Sequence, residues 1–324
     1  MIRVFVKKNN AINDHYNRVC NNSRIKTKGL IHIINKKIDV TPHNEVQKIM
    51  FYTSLLLDLN PLATENLITG KPAYLEQRID HYETNFAALL SDNFRRELLE
   101  KVFFYSNYKK WGAYKLAEDL STNVCPYCNR QYIFTLSGNT TGNLRPQFDH
   151  FFDKAKYPYL SMSFYNLVPS CSICNSDLKG SAKFTLQKNI HPYLEDFNGL
   201  SFSIRPNNID FINGKSTAYR VKFKNTGGLT KEKLIKCFGN ISIFQLSKLY
   251  NRHKDHTDEL IIKSRIYNQD YIDALFNQFE GTLFNDTNDI KRLISSNYTE
   301  EKDFEKRPLS KMTADICREL GLFI

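Results

Sequence analysis

No run of about 18 apolar residues occurs in this chain, so nothing in it reads as a membrane-spanning helix. The opening MIRVFVKKNN lacks the apolar core of a secretion signal, and a soluble, cytoplasmic protein is the expectation. Cysteine is scarce and odd in number: seven residues exclude a fully paired disulfide framework. In a chain of 324 residues with no secretion signal, C-x-x-C spacing points instead to metal or redox chemistry. The phosphate-binding pattern G-x-x-x-x-G-K-[ST] is missing, so any ATP use belongs to another subunit. There is also no internal repeat and no low-complexity tract.

What is present is an ordinary globular composition, 41% hydrophobic and 24% charged, with enough Phe and Tyr for a real core. The length suggests about two domains, with room for a third. Lys and Arg total 45 against 34 acids, a formal charge of +11. Residues 125–190 hold seven Lys/Arg and three acids, 7 − 3 = +4, which is denser than the chain average. Such charge suits a phosphate backbone, although plain solubility accounts for it equally well.

Three regions differ in pattern. Residues 1–118 read as mainly helical. Thr41-Pro42 is a helix start, and Val46, Ile49, Met50, Thr53, Leu56 and Leu57 follow at helical spacing as a core face. A second helix is predicted from Ser91-Asp92, with Phe94, Leu98 and Val102 inward. Residues 119–196 are rich in Tyr, Phe, Asn and Pro. Strands are predicted at Gln131–Leu136, around 146–152 and at 166–170, with a turn cluster SGNTTGN at 137–143 and a helix beginning near Ser172. Residues 197–324 open with strands at Phe202–Arg205 and Tyr219–Lys224 around NNIDFINGKS. They continue as one long helical stripe (Leu246, Leu249, Tyr250, His253, Thr257, Leu260, Ile261, Ser264). A last helix runs from Leu309 to Leu320, closed by Gly321.

The middle region carries the chemistry. CPYC at 125–128 and CSIC at 171–174 offer four thiols in two tight pairs, the spacing of a tetrahedral zinc site. A thioredoxin-like redox pair would sit in an α/β pattern, which is absent. Four sulfurs leave no open coordination position, so zinc at Cys125, Cys128, Cys171 and Cys174 is structural. Between the pairs stands Asp149-His150. On a regular strand these side chains point to opposite faces; on a bent one both reach a single pocket. A neutral imidazole takes a proton from water near neutral pH, and a carboxylate or amide oxygen suits Mg²⁺. Asn166 lies in the loop FYNLVP and Asn175 directly follows the last cysteine.

C-x-x-C, D-H, N and C-x-x-C-N-x-x-x-K-G in this order resemble the zinc-bound HNH (His-Asn-His) endonucleases with their ββα-metal core. AYKLAEDLSTNVCPYCNRQYI, RPQFDHFFDKAKYPYLSMSFYNLVPSCSICNSDLKG and IHPYLEDF are similar to a subgroup of bacterial HNH proteins linked to anti-phage defence, of the Septu-type and retron-associated kind. The likeness is tight over 113–196, looser over 240–324 and weak before residue 100. It implies an α+β chain whose small zinc-stapled core is flanked by mainly helical regions. It further implies His150 as general base, Asp149 and Asn175 as ligands of a catalytic Mg²⁺ or Mn²⁺, and Asn166 as the catalytic-site residue that holds the loop and orients His150. Asn175 stands where the family name has His. One extra residue precedes Lys179 relative to many relatives, and Asp153 replaces the usual proline. Lys179, Lys154 and His191 are further candidates for phosphate contact or site lining. The implied partners are nucleic acid, with DNA favoured, an ATPase or sensor subunit, and a second copy. The competing reading is a non-catalytic zinc module that binds nucleic acid or protein. His253, on an apolar stripe, reads as a core histidine, Cys20, Cys237 and Cys317 as plain thiols, and YPYLSMSFY at 157–165 as packing.

Overall fold

Of the two helix starts predicted in the first region one is corrected: Thr41 closes the helix Leu30–Val40, its Oγ1 donating to Lys37 O at 2.6 Å, and the next helix begins at Val46. Ser91 accepts a hydrogen bond from Phe94 N and caps the helix Asp92–Lys101 (α5), whose Phe94 and Leu98 are buried as the spacing predicts. Before it run α1 (Ala11–Cys20), α2 (Leu30–Val40), α3 (Val46–Leu57) and α4 (Pro72–Asn85), and after it α6 (Ala113–Leu120). This computed structural model describes residues 1–21, 28–105, 112–138, 142–211 and 218–322.

The predicted inner face of α3 is corrected by the structure. Val46, Met50 and Leu57 are 56%, 52% and 71% exposed, whereas Phe51, Tyr52, Leu55 and the following Leu59 are buried. The segment IMFYTSLLL is apolar on most sides, so periodicity leaves the buried face open. The aromatic cluster decides it: Phe51 meets Tyr82, Phe86 and Phe94 edge to face, at ring separations of 5.3–5.5 Å.

In the middle region β1 (Gln147–His150) pairs antiparallel with β2 (Leu167–Ser170), placing His150 opposite Leu167 and Asp149 opposite Val168. A π-helical segment, Ile173–Lys179, follows β2 and packs on β1. Its wide turn is closed by Gly180 N donating to Asn175 O at 3.1 Å, with Gly180 at φ +50°. The strand predicted at Gln131–Leu136 reduces to two single bridges, Val124 with Tyr132 and Leu136 with Leu144. Within the turn cluster, Gly138 N donates to Asn143 Oδ1 at 3.0 Å; residues 139–141 lie outside the described residues.

In the last region β3 (Leu200–Pro206) and β4 (Tyr219–Asn225) form a second antiparallel pair. Of NNIDFINGKS, residues 212–217 lie outside the described residues. The predicted long stripe breaks into Leu246–Tyr250 and Lys254–Ile266. His253 precedes the second piece, half-buried, and Arg130 Nε donates to its Nε2 at 2.8 Å, so it is a partnered histidine at the core's edge and not a fully buried one. The last helix, Ser310–Glu319, is almost wholly buried. Gly321 follows it at φ +67°. Cys20, Cys237 and Cys317 are buried thiols. Most of 157–165 is buried, as packing requires.

One apolar core runs through all three regions. The first residues enter the middle region directly: Ile2 N donates to Pro126 O at 3.0 Å and Val4 N to Pro192 O at 2.9 Å. From the other end, Asn129 Nδ2 donates to Phe304 O at 2.9 Å and Lys311 N donates to Asn129 Oδ1 at 3.1 Å. Both flanks therefore clamp the first cysteine turn. No helix among the described residues is long and apolar enough to cross a membrane.

Candidate functional site

The four cysteines predicted as a cluster converge. Their sulfurs all lie within 4.8 Å of one another and all four residues are buried. Cys128 Sγ and Cys171 Sγ stand 4.0 Å apart. A tetrahedral zinc with bonds of about 2.3 Å implies sulfur separations of about 3.8 Å. The cage therefore fits such an ion with little adjustment. Backbone amides turn toward two sulfurs: Arg130 N donates to Cys128 Sγ and Cys174 N to Cys171 Sγ, each at 3.4 Å. Held this close, the four thiols share their protons: their mutual bonds draw Cys171 and Cys128 below the usual thiol range, while burial holds Cys125, and the same bonds hold Cys174, well above it. Asn129 at φ +50° makes the first turn tight, and Tyr250 OH donates to Cys128 O at 2.5 Å.

Beside this cage, β1 and the π-helical segment wall a cleft of about 360 Å³, lined among others by Asp149, His150, Asn175, Lys154 and Lys179. Asp149 and His150 thus share one cleft although they alternate along β1. His150 Nε2 lies 2.9 Å from Ser161 O. A carbonyl only accepts, so Nε2 carries the proton, and in the neutral ring the lone pair sits on Nδ1. The Tyr105 ring meets the imidazole edge to face at 4.5 Å. Lys154 Nζ lies 4.7 Å from the centre of that same Tyr105 ring.

Asn166 holds the loop between β1 and β2. It is fully buried and lies outside the cleft lining. Its Oδ1 accepts from Phe152 N at 2.7 Å, and its Nδ2 donates to Phe152 O at 3.1 Å and Leu160 O at 2.9 Å. These bonds close the loop between β1 and β2, and that loop presents the Ser161 carbonyl to His150. His15 braces the next residue, with Nε2 2.8 Å from Met162 O.

Asp149 is already engaged. Lys179 Nζ reaches Asp149 Oδ1 at 2.7 Å and His150 O at 2.6 Å, while Tyr127 OH donates to Asp149 Oδ2 at 2.7 Å. Burial and the adjacent carboxylate hold the Tyr127 phenol well above its ordinary range, so it stays a donor. Lys179 and Asp149 side chains are each 4% exposed. Lys179 lines the cleft, with its charge engaged by Asp149 in this structure. Lys154 and Arg145 also stand on the cleft wall. Asn175 Nδ2 donates to Gln147 Oε1 at 2.7 Å, which orients the amide. A hard-oxygen pair, Asp149 and Asn175, thus shares the cleft with a resident ammonium.

His191 does not line the cleft. It is buried, with its ring 4.2 Å from that of Phe151, and burial lowers its pKa to about 3. Sequence reasoning missed Tyr105, Tyr127, Arg145 and Gln147 as site residues. Gln147 alone had a local signal, two residues before Asp149 and hence on the same strand face.

A buried four-thiol cage able to hold a metal such as zinc, beside a polar cleft in a mixed α+β chain, is the class of site these residues define. Comparison with family models, curated proteins and solved structures gives no match to this chain.

Proposed function

We propose that this chain is a metal-dependent endonuclease of the HNH kind, cutting phosphodiester bonds of DNA, with the four cysteines holding a structural zinc. The observation that carries the reading is His150, fixed by Ser161 O in the one cleft that also holds Asp149 and Asn175. Strand, strand and helix in this order around that cleft support a ββα-metal core. The π turn before Lys179 takes up one residue more than an α turn, which accommodates the additional residue in that segment.

The Ser161 carbonyl keeps the proton on Nε2, so His150 Nδ1 is the atom that takes a proton from the attacking water. Asn166 maintains that tautomer indirectly by fixing the loop that carries Ser161. Lys154 and Arg145 draw phosphates to the cleft mouth as cations. When bound at Asp149 and Asn175, Mg²⁺ or Mn²⁺ would supply stabilisation of charge on the phosphoryl and leaving oxygens. One such cleft cuts one strand, so a double-strand break needs a dimer or two successive nicks. An unrestrained nuclease endangers its own cell. This favours an anti-phage effector whose flanking helices dock an ATPase or sensor, with weak activity when alone.

The second reading, a non-catalytic zinc module, is favoured by one observation: Lys179 already neutralises Asp149. Supercoiled plasmid incubated with Mg²⁺ or Mn²⁺ separates the two. Nicked product is expected from the wild type and none from His150→Ala, with zinc content unchanged. Full activity in His150→Ala removes the base assignment, and no product with any divalent ion favours the binding module.

A further inference from the structure

Residues 132–138 and 142–144 leave the cysteine cage as two irregular segments, joined by a bridge between Leu136 and Leu144, with an inverted pattern. Tyr132, Phe134 and Leu136 are 48%, 42% and 59% exposed, while Ile133 between them is buried. Leu144, 50% exposed, pairs with Leu136 through reciprocal backbone bonds of 2.7 and 2.9 Å. Alternation normally sends apolar side chains inward, so a contiguous apolar outer face marks a binding surface. The Tyr132 and Phe134 rings stack on each other, centroids 4.5 Å apart and planes 21° from parallel. The second segment runs straight into the cleft: Arg145, the residue after Leu144, lines it, and so does Gln147 on β1.

We propose that this outer face binds unpaired bases of a nucleic-acid strand, which stack on the Tyr132–Phe134 pair while the strand's phosphates follow Arg145 into the cleft. This rests on the nuclease reading and narrows its substrate to strands with unpaired bases. Two features choose bases over a protein partner. The rings already stand at the separation and tilt of a stack that a base extends, and the face is continuous with a cationic cleft wall. Base–aromatic stacking beside a positive groove is how single strands are held without sequence preference.

The test uses the full-length, zinc-loaded His150→Ala protein and fluorescence anisotropy at one fixed salt concentration. The probes are a single strand, its duplex and an abasic strand of equal length. The single strand is expected to bind tighter than the other two. Tyr132→Ala and Phe134→Ala should each weaken single-strand binding by about 5- to 100-fold and leave abasic binding unchanged. Thermal midpoint and zinc content serve as fold controls. In Phe134→Trp, indole emission should be quenched by the single strand and not by the abasic one. Equal binding of normal and abasic strands, or alanine variants with unaltered affinity, overturns the proposal. So does an alanine variant that turns a dimer into a monomer with strand affinity intact, which makes the face an interface between copies. Normal plasmid nicking by wild type together with any of these results defeats only the stacking face; no binding and no cutting defeats the nuclease reading itself.

Discussion

Replacing Lys179 with Met tests how the cleft is held together. Lys179 and Asp149 side chains are each 4% exposed and their charges meet at 2.7 Å. Met keeps the stem volume that packs near Phe184, whose ring lies 4.7 Å from Lys179 Nζ. What it removes is the cation, leaving Asp149 with the Tyr127 hydroxyl alone. Breaking one side of a buried pair costs about 3–5 kcal/mol, because the remaining charge is desolvated and uncompensated. At about 2 °C per kcal/mol for a chain of this length, the thermal midpoint should fall by about 6–10 °C. Lys179→Met combined with Asp149→Asn should recover much of that loss, because no unpaired charge remains in the double variant. Differential scanning fluorimetry on zinc-loaded protein measures both, and adding Mg²⁺ extends the test. If a divalent ion takes the position that Lys179 holds, Mg²⁺ should raise the midpoint of Lys179→Met more than that of wild type. A single variant within about 2 °C of wild type, or losses that simply add, would refute the argument.

Cys171→Ser should lose its zinc by elemental analysis and melt about 10 °C or more below wild type, because metal-binding energy is folding energy at such a cage. A variant that retains one zinc per chain at an unchanged midpoint argues against the four-thiol site. Acid should destabilise the protein through its buried histidines. Burial lowers His15 to about 4 and His191 to about 3, while the unfolded residues titrate near 6.5. The unfolded chain then binds more protons, so stability is complete above pH 6.5 and is lost as pH falls toward 3, by roughly 4 kcal/mol for His191. His191→Phe should reduce the pH dependence of the urea midpoint between pH 6 and 4 by about one proton; an unchanged slope rejects the assignment.

Local chemistry made several features legible. Ser91 announced its helix by a capping hydroxyl, and the Phe94, Leu98 and Val102 face is buried as spacing implies. The strands expected around 146–152 and at 166–170 form over 147–150 and 167–170 and do pair. Periodicity failed where apolar residues surround a helix, as in α3, since every face then satisfies the pattern. It failed again at 246–264, where the chain breaks between Tyr250 and Lys254 while the apolar spacing continues.

The sequence by itself determined the two cysteine turns and the residue types between them, because thiol spacing within a turn is a property of a few adjacent residues. Only the tertiary structure decided that Tyr105 packs on His150, that Tyr127 and Lys179 close on Asp149, and that Ser161 O sets the imidazole tautomer. Those contacts join residues 11 to 45 positions apart, and whole-chain packing, not local spacing, brings such groups together.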